Sequence, residues 1–443
     1  MQTLRSFLTA AVFAVGLAGC GGDGTTTTFT VRVENIGAAR ALAGSGVFAV
    51  PDGATDPGPI GPGGAYSFSF LAAPGMSLSF ATMFVPSNDL FFGPDGEGIA
   101  LFDEGSPVTG DVTAQVDLWD AGTEIDQEPG TGADQVQRQG DPDTGAADPD
   151  PNVRLASDDF GNLPPVADVI RVTLSAEDRG GYFEFTATIE NVSTPTTLTT
   201  SDDGDLAMQA VPLSPGVYAV HAGADPLFTV GEVDRGEGLE AIAEDGMAMG
   251  LGDALAARTG ATLVASPGIY AVTEEGTDLF TLGEPDRGQG LEAIAEDGDP
   301  APLAAAVGDT LPAAGVINTP VGSTAPGPIG PGGAYELEVT AQAGQRLHIV
   351  TMFVPSNDWL FTFEAAGIPL FDADGEPIRG EQADRMVIAD LGTEVDQPVG
   401  FGLDQVQNQQ GPNTGAEDPN TDVRLVTGQG EASDVLSVMV TPQ

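Results

Sequence analysis

Four carboxylates cluster around two short turns, and the same four recur later in the chain. Asp89 follows Val85-Pro86-Ser87-Asn88. Asp120 and Glu124 flank Ala121-Gly122-Thr123, and Asp126 lies two residues on. The later set is Asp358, after Val354-Pro355-Ser356-Asn357, then Asp390, Glu394 and Asp396. Carboxylates are hard oxygen donors, and Ca2+ takes six to eight such oxygens at about 2.3–2.6 Å. A glycine between two acids lets the backbone bend until both side chains converge. The pattern predicts a divalent-cation centre, with Ca2+ as the ion and Mg2+ as its competitor. The competing reading is solvation, because the chain carries 66 Asp and Glu in all. Asp141, Asp143, Asp148 and Asp150, loosely matched by Asn413, Glu417, Asp418 and Asp422, read as a solvated loop.

Other chemistry is thinly represented. No G-x-S-x-G elbow is present. The two histidines, His221 and His348, fall in different blocks and read as packing or hydrogen-bonding residues. A glycosidase needs a carboxylate pair, but among so many acids a pair carries little information. Trp119 and Trp359 read as core residues, with sugar stacking beside the acid sites as the alternative. The expected protein is not an enzyme.

Charge limits the partners. Fourteen basic residues, all arginine, stand against 66 acids, giving a formal net charge of −52. Nucleic acid is excluded, because phosphate neutralisation needs clustered cations. Docking on an anionic membrane surface is disfavoured for the same reason. Such self-repulsion is a lever used by halophiles, since at about 1 M salt the Debye length falls to about 3 Å. Charged residues are 18% and hydrophobic residues 41% of the chain, which is unlike an acidic disordered chain. The expected setting is concentrated brine.

The N-terminus reads as an address. Arg5 precedes an apolar run from Phe7 to Ala18, too short for a comfortable membrane span but suited to a signal peptide. Leu17-Ala18-Gly19-Cys20 resembles the lipobox of secreted lipoproteins, which implies cleavage before Cys20 and lipid attachment to its thiol. Cys20 is the single cysteine, so no intrachain disulfide is available. Residues 1–20 are the expected lipoprotein signal peptide and 21–28 a flexible tether. The expected location is the extracellular face of the cell membrane or the cell envelope. Membrane contact is through the lipid anchor only.

Internal repeats set the organisation. Pro57-Gly58-Pro59-Ile60-Gly61-Pro62-Gly63-Gly64-Ala65-Tyr66 recurs unchanged at 326–335. Thr82 to Asp89 recurs as Thr351 to Asp358, and Val153-Arg154-Leu155 as Val423-Arg424-Leu425. Two copies of one domain are expected, a truncated one at 29–177 and a full one at 182–443. Inside the second lies a 52-residue duplication over 213–299, in which Ser214 to Val220 matches Ser266 to Val272. Period-2 alternation at 29–34 and 183–189 predicts strands with one buried face. Leu239, Ile242 and Ala243, and their copies Leu291, Ile294 and Ala295, are spaced for short helices ending at Gly246 and Gly298. The expected class is all-β: two antiparallel β-sandwich domains with a few short helices in the second.

These motifs together resemble the spondin N-terminal domain family. The order of strand 182–191, Ser-Pro-Gly-Val-Tyr-Ala-Val-His221, Gly-Leu-Glu-Ala-Ile-Ala-Glu-Asp-Gly, Val354 to Trp359 and Asp390-Leu391-Gly392-Thr393-Glu394 carries the resemblance over nearly all of 182–443. It covers 29–177 less fully, and the family's cysteines are missing. The resemblance implies an eight-stranded β-sandwich with a divalent cation at one edge, and adhesion or recognition rather than catalysis. The expected function is therefore that of a non-enzymatic, lipid-anchored surface protein in cation-supported adhesion or extracellular matrix recognition. Its ligand would be an extracellular protein or polysaccharide. The alternatives are an exported carbohydrate-binding or carbohydrate-active protein, and a purely structural envelope component.

Overall fold

The computed structural model describes residues 26–201, 207–308 and 310–443. The leader, Cys20 and the tether up to Thr25 lie outside the described residues. The chain is all-β, with two β-sandwiches of matching topology. In the first, a sheet of Ala65–Ala72, Phe183–Asn191, Ile170–Asp178 and Gly110–Asp111 faces a larger sheet. That larger sheet runs Arg154–Leu155, Asp117–Asp120, Leu90–Gly93, Ser77–Phe84, Leu213–His221 and Leu42–Phe48. The second sandwich repeats this order. Its smaller sheet is Ala334–Ala341, Thr27–Asn35, Leu436–Pro442 and Gly380–Glu381. Its larger sheet is Arg424–Leu425, Met386–Asp390, Trp359–Phe363, Gln345–Phe353, Ala265–Glu274 and Ala313–Ile317.

The expected division near residues 177–182 does not follow the sheets. Strand Phe183–Asn191 pairs with both Ile170–Asp178 and Ala65–Ala72, inside the first sandwich. The N-terminal strand Thr27–Asn35 pairs instead with Ala334–Ala341 and Leu436–Pro442, in the second. The first sandwich is thus inserted between the first strand of the second and the rest of it. The two strands have the same alternation and the same burial pattern, so local sequence suits either slot and chain connectivity decides.

The helices are also shared out. Helices α1 (Leu239–Asp245) and α2 (Met249–Ala257) pack on the larger sheet of the first sandwich. Helices α3 (Leu291–Asp297) and α4 (Ala301–Val307) do the same on the second. The 52-residue duplication therefore supplies one helix pair to each sandwich, and the first is not truncated. Each larger sheet lies between a sheet and a helix layer. This is why Ser77–Phe84 and Trp359–Phe363 are buried along nearly their whole length rather than alternating. Phe80, Phe92 and Phe185 fill the space between the sheets of the first sandwich, whereas Ala81, Phe91 and Trp119 meet Ile242 and Leu251 of the helices.

Phe29, Val31 and Val33 are buried in the core of the second sandwich, each worth roughly 1.5–3 kcal/mol of apolar burial. Deleting the chain up to Asn35 is expected to abolish the melting transition of the second sandwich and spare that of the first. Calorimetry checks this; two unchanged transitions would refute the insertion.

Candidate metal centre

The Pro-Ser-Asn-Asp turn is locked before any ion is considered. Ser87 Oγ donates to Phe84 O at 2.6 Å and accepts from Leu90 N at 3.1 Å. Asn88 Nδ2 donates to Ile125 O at 3.0 Å, and Asn88 Oδ1 accepts from Gln127 N at 3.3 Å. These bonds fix Asp89 against the 120–126 turn. There Gly122 adopts φ +68, and Asp120 Oδ1 accepts its N–H at 2.6 Å. A Cβ at Gly122 would lie 2.8 Å from the Asn152 carbonyl, so the turn requires glycine on both counts.

Asp89 is fully buried. Its Oδ2 accepts from Thr123 N at 3.2 Å and Glu124 N at 3.1 Å, while its Oδ1 has no partner. Asp120 is fully buried as well. One oxygen from each of Asp89, Asp120 and Asp126 lies within 4.8 Å of the others. The second sandwich rebuilds this arrangement. Asp358 Oδ2 accepts from Thr393 N at 3.0 Å and Glu394 N at 3.1 Å, and Asp358 Oδ1 is buried without a partner. Asp390 Oδ1 accepts from Gly392 N at 2.7 Å. Asp358, Asp390 and Asp396 form the second group of three.

Six of the eight sequence candidates are thus gathered as two triads. Glu124 and Glu394 are not in them. Glu124 Oε1 accepts from Gly145 N at 2.7 Å and Glu394 Oε1 from Gly415 N at 2.8 Å, which turns both toward the 140–150 and 410–420 loops. The approach is close: a Cβ at Gly145 would meet Glu124 Cδ at 2.1 Å.

The sequence reading did not single out the arginine in each triad. Arg154 Nη2 lies 3.1 Å from Asp120 Oδ2, 3.6 Å from Asp126 Oδ2 and 2.8 Å from Asp148 Oδ2. Arg424 Nη2 lies 2.5 Å from Asp390 Oδ2, 3.6 Å from Asp396 Oδ2 and 2.6 Å from Asp418 Oδ2. The signal was the recurrence of Val-Arg-Leu. One guanidinium does not balance the acids. Burial first, and neighbouring carboxylates with it, push Asp89 up to about 7 and Asp120 to about 9. Burial and the adjacent acids push Asp358 up to about 6 and Asp390 to about 7. Like charges this close require a proton or a cation between them.

The remaining candidates pack. Trp119 Nε1 donates to Gly93 O at 3.0 Å, and its ring meets Phe228 at 5.3 Å between centroids. Trp359 is 7% exposed and donates to Asp396 Oδ1 at 2.8 Å. His221 Nε2 bonds Ser79 Oγ at 2.9 Å, and His348 Nε2 bonds Thr273 Oγ1 at 3.0 Å. The two pairs occupy equivalent places with the histidine on opposite strands. Burial lowers both histidines, His348 to about 4. Asn191, which with Val192 and Ser193 forms an N-glycosylation sequon, is fully buried, and its Nδ2 donates to Ile60 O and Val211 O.

No protein-family model matches the chain, and no curated protein matches it.

Proposed function

We propose that this chain is a non-enzymatic, lipid-anchored surface protein of a halophile, and that divalent cations at its two acid triads support adhesion or extracellular matrix recognition. The observation that carries the reading is the pair of equivalent oxygens Asp89 Oδ1 and Asp358 Oδ1. Each is buried, lacks a hydrogen-bond partner and belongs to a carboxylate triad. An unpartnered buried carboxylate oxygen is costly, and the same cost is retained in both sandwiches. The donor set fits a hard cation: all oxygen, anionic, and held by backbone N–H groups. Asp89, Asp120 and Asp126 would hold the ion in the first sandwich, and Asp358, Asp390 and Asp396 in the second. A bound ion would supply positive charge and coordination positions for a ligand's oxygens.

Access favours this use. Asp126 and Asp396 are the open members, with side chains 30% and 50% exposed. A cavity of 580 Å³ lined by Tyr182, Trp359, Asp390, Asp396 and Arg424 opens beside the second triad. Its aromatic and charged lining also suits the carbohydrate-binding alternative, with polysaccharide hydroxyls or carboxylates completing the ion's coordination. The spondin resemblance, the charge of −52 and the lipobox-like Leu-Ala-Gly-Cys20 support the surface setting.

The test is binding of the chain to an immobilised acidic polysaccharide and to matrix protein in brine. Retention in calcium, release by chelator, loss in Asp358→Asn and no hydrolysis of the polysaccharide are expected. Binding indifferent to chelator, or turnover of the polysaccharide, would refute the reading.

A further inference from the structure

Glu124, Asp143 and Glu244 form a third acid group, distinct in every residue from the triads. They come from three separate segments: the turn after Asp117–Asp120, the 140–150 loop and the last turn of α1. One oxygen from each lies within 4.8 Å of the others. Glu124 and Glu244 are 3% and 2% exposed, and each keeps one oxygen, Glu124 Oε2 and Glu244 Oε1, without a hydrogen-bond partner. Glu124 is aimed by Gly145 N on its other oxygen. The Thr123 hydroxyl lies beside Glu244 and interacts with its carboxyl, bringing a fourth oxygen to the group. Asp143 is held over the group by a left-handed backbone, φ 53, and by its own N–H bonded to Asp245 at the end of α1.

The surroundings deepen the negative charge. Burial first, and after it the charges of Glu124, Glu240 and Asp143, push Glu244 up to about 8 against the lowering effect of the Thr123 hydroxyl. Two buried carboxylates with free oxygens, capped by a third, suit an ion that prefers anionic oxygen ligands.

The second sandwich provides an internal contrast. Glu296 and Glu394 are equivalent to Glu244 and Glu124, but Asn413 stands where Asp143 does, at a similar φ of 50. Asn413 Nδ2 donates to Glu292 Oε1 at 2.8 Å. That group has lost one carboxylate.

We propose that the first sandwich binds an additional divalent cation between Glu124, Asp143 and Glu244, and that the second sandwich has lost the equivalent site through Asn413. The ion would clamp α1 to the acid-bearing turn and to the 140–150 loop.

Calcium stoichiometry of the full chain, counted by native mass spectrometry and by calorimetric titration, tests this. Three ions are expected for the unaltered chain, two for Glu244→Gln and four for Asn413→Asp. Glu244→Gln conserves shape, and Asn413→Asp reproduces the residue the first sandwich already tolerates at that backbone angle, so a gain and a loss are both readable. An unchanged count in both variants would overturn the proposal and would mean that Glu124 and Glu244 hold protons. Failure of the triads is separable: Asp89→Asn and Asp358→Asn would then leave the count unchanged, while Glu244→Gln would still lower it by one.

Discussion

Raising the pH of the calcium-free protein from 6.5 to 9, in salt high enough to screen the surface acids, is expected to lower the stability of the first sandwich. Millimolar calcium is expected to remove that loss. The sign follows from linkage. A carboxyl whose folded value is raised contributes stability that is complete below its unfolded value, near 3.8, and is lost as the pH climbs through the folded one. Asp89 is raised to about 7 and Asp120 to about 9, so the loss in the first sandwich extends to about pH 9. Asp358 and Asp390, at about 6 and 7, complete most of theirs near neutrality. The histidines act in the opposite sense, since His348 is lowered to about 4. Their stabilising neutral form is fully present above about pH 6.5, so their titration lies below the 6.5–9 window. Calcium at 100 times its dissociation constant would add about 2.7 kcal/mol, or roughly 5–10 °C in the melting temperature of a domain of this size. Asp89→Asn should reduce the calcium response of the first transition to that of the Glu124–Asp143–Glu244 group, and Asp358→Asn should erase that of the second. Differential scanning calorimetry with and without chelator checks both. Stability that rises from pH 6.5 to 9 in chelator would contradict the account.

Replacing Arg154 by Met is expected to destabilise the calcium-free first sandwich by about 3–5 kcal/mol, the usual consequence of removing one partner from a buried ion pair. The Arg154 side chain is only 14% exposed and reaches Asp120, Asp126, Asp148 and, at 2.5 Å, Asp159. Without it, these carboxylates face one another with no internal cation. The equivalent change at Arg424 should cost less, because that side chain is 29% exposed and water screens its partners. Calcium should recover much of the Arg154→Met deficit and bind the variant more tightly, because Asp120 Oδ2 and Asp126 Oδ2 are released from the guanidinium. Denaturant titration with and without calcium measures the deficit. An equal deficit in both conditions would assign Arg154 a role in packing alone and leave the ion no part in charge balance.

Several features were legible in the residues and others were not, for physical reasons. The alternation of Phe29-Thr30-Val31-Arg32-Val33 and of Phe183-Glu184-Phe185-Thr186-Ala187 marks both strands. Alternation specifies a buried face but not a partner, and both strands fit a central position in the same kind of sheet. Their exchange between sandwiches therefore could not be read locally. The matched acids led directly to Asp89, Asp120 and Asp126 and their counterparts, because a turn that brings carboxylates together leaves a fixed spacing. Glu124 shares that spacing yet faces elsewhere, held by Gly145 some twenty residues on, and a short-range pattern carries no record of that contact. Arg154 and Glu244 lay in repeated motifs, Val-Arg-Leu and Leu-Glu-Ala-Ile-Ala-Glu-Asp-Gly. Their roles depend on which sheet and which helix layer meet, and the insertion of one sandwich into the other determines that.

The central claim is that each acid triad holds a hard ion, and anomalous diffraction from crystals of the chain soaked in a lanthanide substitute for calcium tests it most directly. The account predicts a peak within coordination distance of Asp89 Oδ1 and another beside Asp358 Oδ1. Full lanthanide occupancy at surface carboxylates, with no peak at either buried oxygen, would contradict it.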